Sequence, residues 1–266
     1  MPDLTHLPFR LGTTSFIVPA DLLTNVRYLA GRVRDIEVLL FEVDDGYNVL
    51  PGPEVWAELA SLARAHDLTY TIHLPLDLKL GGDEPERAAS LEKARRVITA
   101  VKGLDPWAYV IHLEGAALRH STDASALKAW LERAVASLGE IGVWVGGAEK
   151  LAVENVEGYP PEFTAPVFNR MGVSRCFDIG HLWRDGVDPW SYVQAWLPRT
   201  RVLHLHGLGR RDHDSVAHVP AADLDALLAH LLQHYRGVLT LEVFNHANLD
   251  SSLEAVALSL SRLAAA

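Results

Sequence analysis

Carboxylates and imidazoles recur at the ends of apolar runs in this chain. SRCFDIGH (174–181) closes on Asp178 and His181, and VLHLHG (202–207) carries His204 and His206. LAVENVEG (151–158) holds Glu154, and VLTLEVF (238–244) holds Glu242. YTIHLPL (70–76) adds His73, YVIHLEG (109–115) adds His112 and Glu114, and DIEVLLFE (35–42) ends on Glu42. Unpaired, such groups in a dry core would each cost several kcal/mol. A divalent cation would neutralise them together. Mixed nitrogen and oxygen donors suit Zn²⁺, Mn²⁺ or Fe²⁺, whereas Mg²⁺ favours oxygen and a structural zinc favours thiolates. The donors outnumber the needs of one ion, which points to two or more ions, with a carboxylate such as Glu154 as a bridge.

Taken singly, each residue has a plainer reading. His73 or His112 alone is a hydrogen-bonded core histidine. Glu42 is equally a salt-bridge partner of a helix, and Glu114 shares a face with His112, so that one of the two is a support. His206 points as His204 does but nearer solvent, as a support or substrate contact. Cys176, two residues below Asp178, is small core filling, and His66, His120, His230 and His234 fall on helices as solvated side chains. The stretch GLGRRDHDSVAHVP (207–220) adds Asp212, His213, Asp214 and His218, and its length suits a functional loop. For His213 a solvated reading and a functional one stand equal; His218 is read as functional.

The elements that must position these residues follow from periodicity. Eight short β-branched or apolar runs cover 9–16, 35–42, 69–76, 109–115, 151–157, 174–181, 201–207 and 238–244. Between them lie helical patterns. Leu127, Trp130, Leu131, Ala134, Val135 and Leu138 share one helical face, as do Leu224, Leu227, Leu228, Leu231, Leu232 and Tyr235. Gly237 stands where a helix end takes a positive φ, and Ser251 with Glu254 has the spacing of a capping box that opens the last helix. Eight βα units predict an α/β fold, a single (β/α)₈ TIM barrel over residues 1–266, with its chemistry at the C-terminal strand ends. A doubly wound sheet is the rival, but no GxGxxG follows the first strand.

Composition narrows the partners. A net charge of −10 argues against nucleic acid, which is bound by neutralising phosphates. One cysteine, Cys176, allows no internal disulfide and suits a reducing cytoplasm. The start MPDLTHLPFRLG lacks the apolar core of a signal peptide, and no apolar run is long enough to span a membrane. The expected partner is a small-molecule substrate in the cytoplasm.

LAVENVEG, FDIGH, VLHLHG and TLEVF resemble strand ends of the xylose-isomerase-like barrel superfamily, which includes sugar epimerases and endonuclease IV. That resemblance implies a shared metal on Glu154, Asp178, His204 and Glu242. Similarity to the endonuclease type implies further zinc ions through His73, His112, His181 and His218. The sequence departs from that type at Gly207 and Val216, where carboxylates are expected, so a third ion needs Asp212 or Asp214 instead. Within the superfamily, LGTTSFIVPADLLTNVRYLAGRVRDIEVLLFE, LTYTIHLPLDLKLG and YVIHLEG look like the cobamide-remodelling phosphodiesterases.

The resemblance implies hydrolysis of the nucleotide-loop phosphodiester of cobamides such as vitamin B12, giving cobinamide and the lower-ligand riboside phosphate. Glu154, Glu242 and His181 are then the expected catalytic residues. Trp183, His206 and Arg210 are candidate substrate contacts, with surface solvation and helix packing the alternatives for Arg210, Lys79 and Trp190. A rival reading is a sugar isomerase or epimerase, in which one metal polarises the substrate while Glu154 and Glu242 move a proton. Others are abasic-site cleavage of DNA, disfavoured by charge, and a non-catalytic corrinoid carrier.

Overall fold

A computed structural model of the chain describes residues 4–40, 50–209 and 213–265. Its strands are β1 (Arg10–Thr14), β2 (Asp35–Leu39), β3 (Thr69–His73), β4 (Ala108–Ile111), β5 (Leu151–Glu154), β6 (Ser174–Asp178), β7 (Thr200–Leu205) and β8 (Val238–Leu241). All neighbours pair in parallel, and β8 returns to β1, so the sheet closes as a TIM barrel. Closure removes the unpaired edges that an open sheet would expose.

The helices are α1 (Leu22–Leu29), α2 (Pro53–His66), α3 (Glu84–Val101), α4 (Ala124–Val145), α5 (Ala165–Arg170), α6 (Ile179–Arg184), α7 (Trp190–Trp196), α8 (Ala221–His234) and α9 (His246–Ala265). Among the described residues, no helix is long and apolar enough to cross a membrane.

Alternation along each strand divides the barrel. Outward side chains such as Ile36, Ile72, Ile111, Val153, Phe177 and Leu203 join the helices in one apolar layer. Inward, Ala108, Val110, Ala152, Cys176 and Val202 make a second, separate cluster inside the barrel. These are small because eight strands leave little room on the axis. Above that floor the inward positions turn polar. His73, Glu154 and Asp178 are the last residues of β3, β5 and β6, and His112, His206 and Glu242 stand one residue past β4, β7 and β8. Cys176 thus packs as core filling.

Two local expectations change. The last helix starts at His246, not at Ser251, because Asn245 caps it first: its side chain accepts the Asn248 N–H at 2.9 Å. Ser251 lies inside the helix and donates back to the Ala247 carbonyl. Gly237 has no positive φ, since α8 closes on an extended Tyr235. A side chain there would instead meet the Arg201 carbonyl at 2.5 Å, so close approach is what requires glycine.

Candidate metal centre

The spacing of Asp178 and His181 has a local cause. Asp178 ends β6 and caps α6, accepting the His181 N–H at 2.7 Å, so the helix start fixes the imidazole three residues on. Asn155, the residue after β5, accepts the Asp178 N–H (2.9 Å) and donates to the Asp178 carbonyl (2.8 Å). Its own carbonyl accepts from His181 Nδ1 at 3.0 Å. One amide therefore ties the ends of two strands and orients a ring.

Glu154, Asp178, His204 and Glu242 are all buried, and one ligand atom from each lies within 4.8 Å of the others. His204 Nδ1 is 3.1 Å from Glu242, 3.6 Å from Glu154 and 3.6 Å from Asp178. Yet His204 Nδ1, Asp178 Oδ2 and Glu242 Oε2 make no aligned hydrogen bond. Three buried polar atoms without a partner, converging on one point, fit a cation.

A second group shares Glu154. His73 Nε2 and His112 Nε2 lie 3.3 Å and 3.2 Å from Glu154 Oε2, while Glu154 Oε1 faces His204. His73 donates from Nδ1 to the Leu74 carbonyl, which leaves Nε2 for the carboxylate side. The two oxygens of one carboxylate thus point into two donor groups.

A third group is made of imidazoles alone: His181, His206 and His213. His206 is fully buried, its Nδ1 faces the Gly207 carbonyl at 3.3 Å, and its Nε2 has no hydrogen-bond partner. Gly180 makes room for this ring, because a Cβ there would lie 2.1 Å from His206 Nε2. His213 lies in the loop after β7, next to Asp214, whose backbone exchanges hydrogen bonds with Gly207. It holds a positive φ of 54° and sets its Nε2 3.4 Å from Glu242.

Without a metal, protons neutralise the site. Burial alone would raise the carboxyls, but His112 and His204 hold Glu154 well below the usual range, and His204 and His213 do so for Glu242. Asp178 falls to about 2 beside His181 and His206. Against its own burial, His181 rises to about 9 through Asp178, Glu154 and Glu242, and His204 rises well above the usual value. A divalent ion would displace those protons, as metal binding generally does. Burial keeps the Cys176 thiol protonated and so a poor ligand, although it lies beside Glu154 and His204.

The family model of the xylose isomerase-like TIM barrel matches residues 33–264. The chain belongs to that family. Among curated proteins none matches by sequence. Solved structures share the fold at low identity. A D-tagatose 3-epimerase-like protein is 19% identical with a TM-score of 0.76, over 95% of this chain and 97% of that one. Endonuclease IV from Thermus thermophilus is 18% identical with a TM-score of 0.72, over 95% and 99%. The E. coli 3-keto-D-glucoside 4-epimerase is 15% identical with a TM-score of 0.68, over 95% and 99%.

In this xylose isomerase-like barrel, seven of the eight residues expected at metals gather in the three groups: His73, His112, Glu154, Asp178, His181, His204 and Glu242. His218 does not. Its 3-10 turn is held to α9 by the Val216 N–H to Ser252 bond, and its imidazole is half exposed, 3.7 Å from Asp214. His213 and His206 stand in the third group instead, and His206 is fully buried rather than nearer solvent than His204.

Asp214, the other carboxylate considered there, is bound to the Ser215 N–H and Asn248. Trp183 packs partly buried against the apolar core, Trp190 lies edge-on to His230 in the helix layer, and Lys79 pairs with Glu86. Glu42, Arg210 and Asp212 lie outside the described residues. Two carboxylates went unread in the sequence: Glu37, 2.9 Å from His204 Nε2, and Glu157, 3.3 Å from His181 Nε2.

Proposed function

We propose that the chain is a metal-dependent hydrolase that cleaves the nucleotide-loop phosphodiester of cobamides, releasing cobinamide and the lower-ligand riboside phosphate. The observation that carries the hydrolytic reading is Glu154, whose two oxygens face two separate donor groups. That is the arrangement of a bridging ligand. The likeness of residues 11–42, 68–81 and 109–115 to cobamide-remodelling enzymes supports the choice of substrate. Two or three ions, zinc or else Mn²⁺ or Fe²⁺, fit the histidine-rich donor set. When bound, a pair of such ions supplies a nucleophilic water at neutral pH and relieves charge on the phosphate oxygens.

The chain's own residues do the positioning. Asp178, His204 and Glu242 hold one side of Glu154, and His73 and His112 the other. His181, fixed through Nδ1 by Asn155, turns its ring towards His206 and His213, where it would hold a third ion or a phosphate oxygen. The slot beside Glu154 and His181, lined by Leu113, Tyr159 and Phe163, has a cavity volume of about 10 Å³, room for roughly one water.

A second reading rests on the four-residue group alone. Glu154 and Glu242 flank His204 as a pair of acid–base groups would in a sugar epimerase, and two of the similar structures are epimerases or epimerase-like. Incubation of the metal-loaded protein with a cobamide separates the two. Cobinamide, followed by chromatography and absorbance, is the expected product, and Glu154→Gln abolishes its release. Sugars, sugar phosphates and abasic-site DNA run in parallel. Rapid sugar epimerisation without cobinamide would replace the hydrolase by the epimerase.

A further inference from the structure

We infer that Glu37 is a positioning residue: it fixes the proton of His204 on Nε2, so that Nδ1 presents its lone pair to Glu154, Asp178 and Glu242. The inference rests on the reading of that group as a metal site. Glu37 lies in the middle of β2 and His204 in β7, which are not neighbours in the barrel. Their side chains meet across the interior, with Oε2 2.9 Å from Nε2 and both residues fully buried.

An ionised carboxylate only accepts, so the hydrogen must sit on Nε2. Once a divalent ion has displaced the second proton, the neutral imidazole keeps one N–H, and Nδ1 is left as a donor of electrons. That nitrogen is the atom without a hydrogen bond, 3.1 Å from Glu242 and 3.6 Å from both Glu154 and Asp178. The same bond makes the ring a more basic ligand, as carboxylate partners of metal-bound histidines do.

A purely structural role accounts poorly for Glu37. A buried carboxylate needs several hydrogen bonds to offset its lost hydration. Glu37 makes one, to His204, and its other oxygen has no hydrogen-bond partner. Thr71, its register partner on β3, makes no hydrogen bond through its hydroxyl either.

The test is metal affinity rather than turnover. Metal-free protein is titrated with Co²⁺, whose absorbance reports the ligand field, and thermal melts of the metal-free forms are recorded. Glu37→Leu should weaken one ion about 10–100-fold, the usual cost of losing such a partner. Glu37→Gln, whose amide oxygen still accepts the Nε2 proton, should recover most of that loss. Unchanged Co²⁺ affinity and spectrum in Glu37→Leu, with a lowered melting temperature, would show a structural role and overturn the inference. If Glu37→Leu does not fold, nitrogen NMR of the cadmium-loaded wild type decides. Coupling of the metal to His204 Nδ1 supports the inference, and coupling to Nε2 overturns it. A wild type that binds no Co²⁺ removes the metal reading itself, a different failure.

Discussion

Replacing Gly180 by alanine sets two effects of opposite sign against each other. Gly180 is the second residue of α6, and alanine in a helix is favoured over glycine by about 1 kcal/mol. Helix propensity alone would therefore stabilise Gly180→Ala. Against it stands the His206 ring, three of whose atoms lie 2.1–2.4 Å from where the new Cβ must go. Ordinary contact between such atoms begins near 3.5 Å, so the ring or the helix must yield by roughly 1.4 Å. His206 is fully buried against His213 and His181 and cannot swing into solvent. Overpacking of this kind costs about 1–3 kcal/mol, which equals or exceeds the helix gain.

The net expectation is a destabilisation of up to about 2 kcal/mol in the metal-free protein, together with loss of the ion held by the imidazole group. Urea denaturation gives the first quantity and elemental analysis of zinc-loaded protein the second. A Gly180→Ala protein that is more stable than wild type and carries the same metal would refute the placement of His206 and the third group with it.

His213→Ala should lose one ion where His218→Ala keeps full metal content; the reverse, read by the same elemental analysis, would return the third site to His218. Asp35, at the base of β2, is fully buried, and burial raises its carboxyl to about 7 despite the Thr69 hydroxyl at 2.6 Å. The native state then binds this proton more tightly than the unfolded chain, so stability falls as pH rises from about 4 to about 7. Asp35→Asn should remove the loss, a gain on the order of 4 kcal/mol at pH 8 that shrinks towards pH 4. Denaturation of metal-free protein at both pH values tests it, and an equal difference at the two would contradict the shift.

Much of the barrel and its upper ring could be read from period-two alternation. That pattern turns Glu154, Asp178, His204 and Glu242 inward at the C-terminal strand ends, and the helix cap at Asp178 explains why His181 follows at three residues. Glu37 escapes a reading of strand ends because it lies in the middle of the second strand, before Glu42. The same parity that turns Asp35 inward would have found it. His213 could not be reached this way, since the backbone pairing of Gly207 with Asp214 places it, and loop closure leaves no period in sequence. His218 failed for a related reason: motif spacing does not reveal that Ser215 caps a 3-10 turn which points the ring outward. Ser251 and Glu254 form a valid local signal that loses to an earlier cap at Asn245.

The shared carboxylate of Glu154 bears on how the protein fills. If each donor group takes a cation, the oxygen that Glu154 turns to each links the two loadings thermodynamically, so the affinity at one depends on the occupancy of the other. Whatever the first cation does to the affinity for the second is returned in equal measure. A half-loaded preparation is therefore a population weighted by that coupling, and its average metal content alone does not say which molecules are complete.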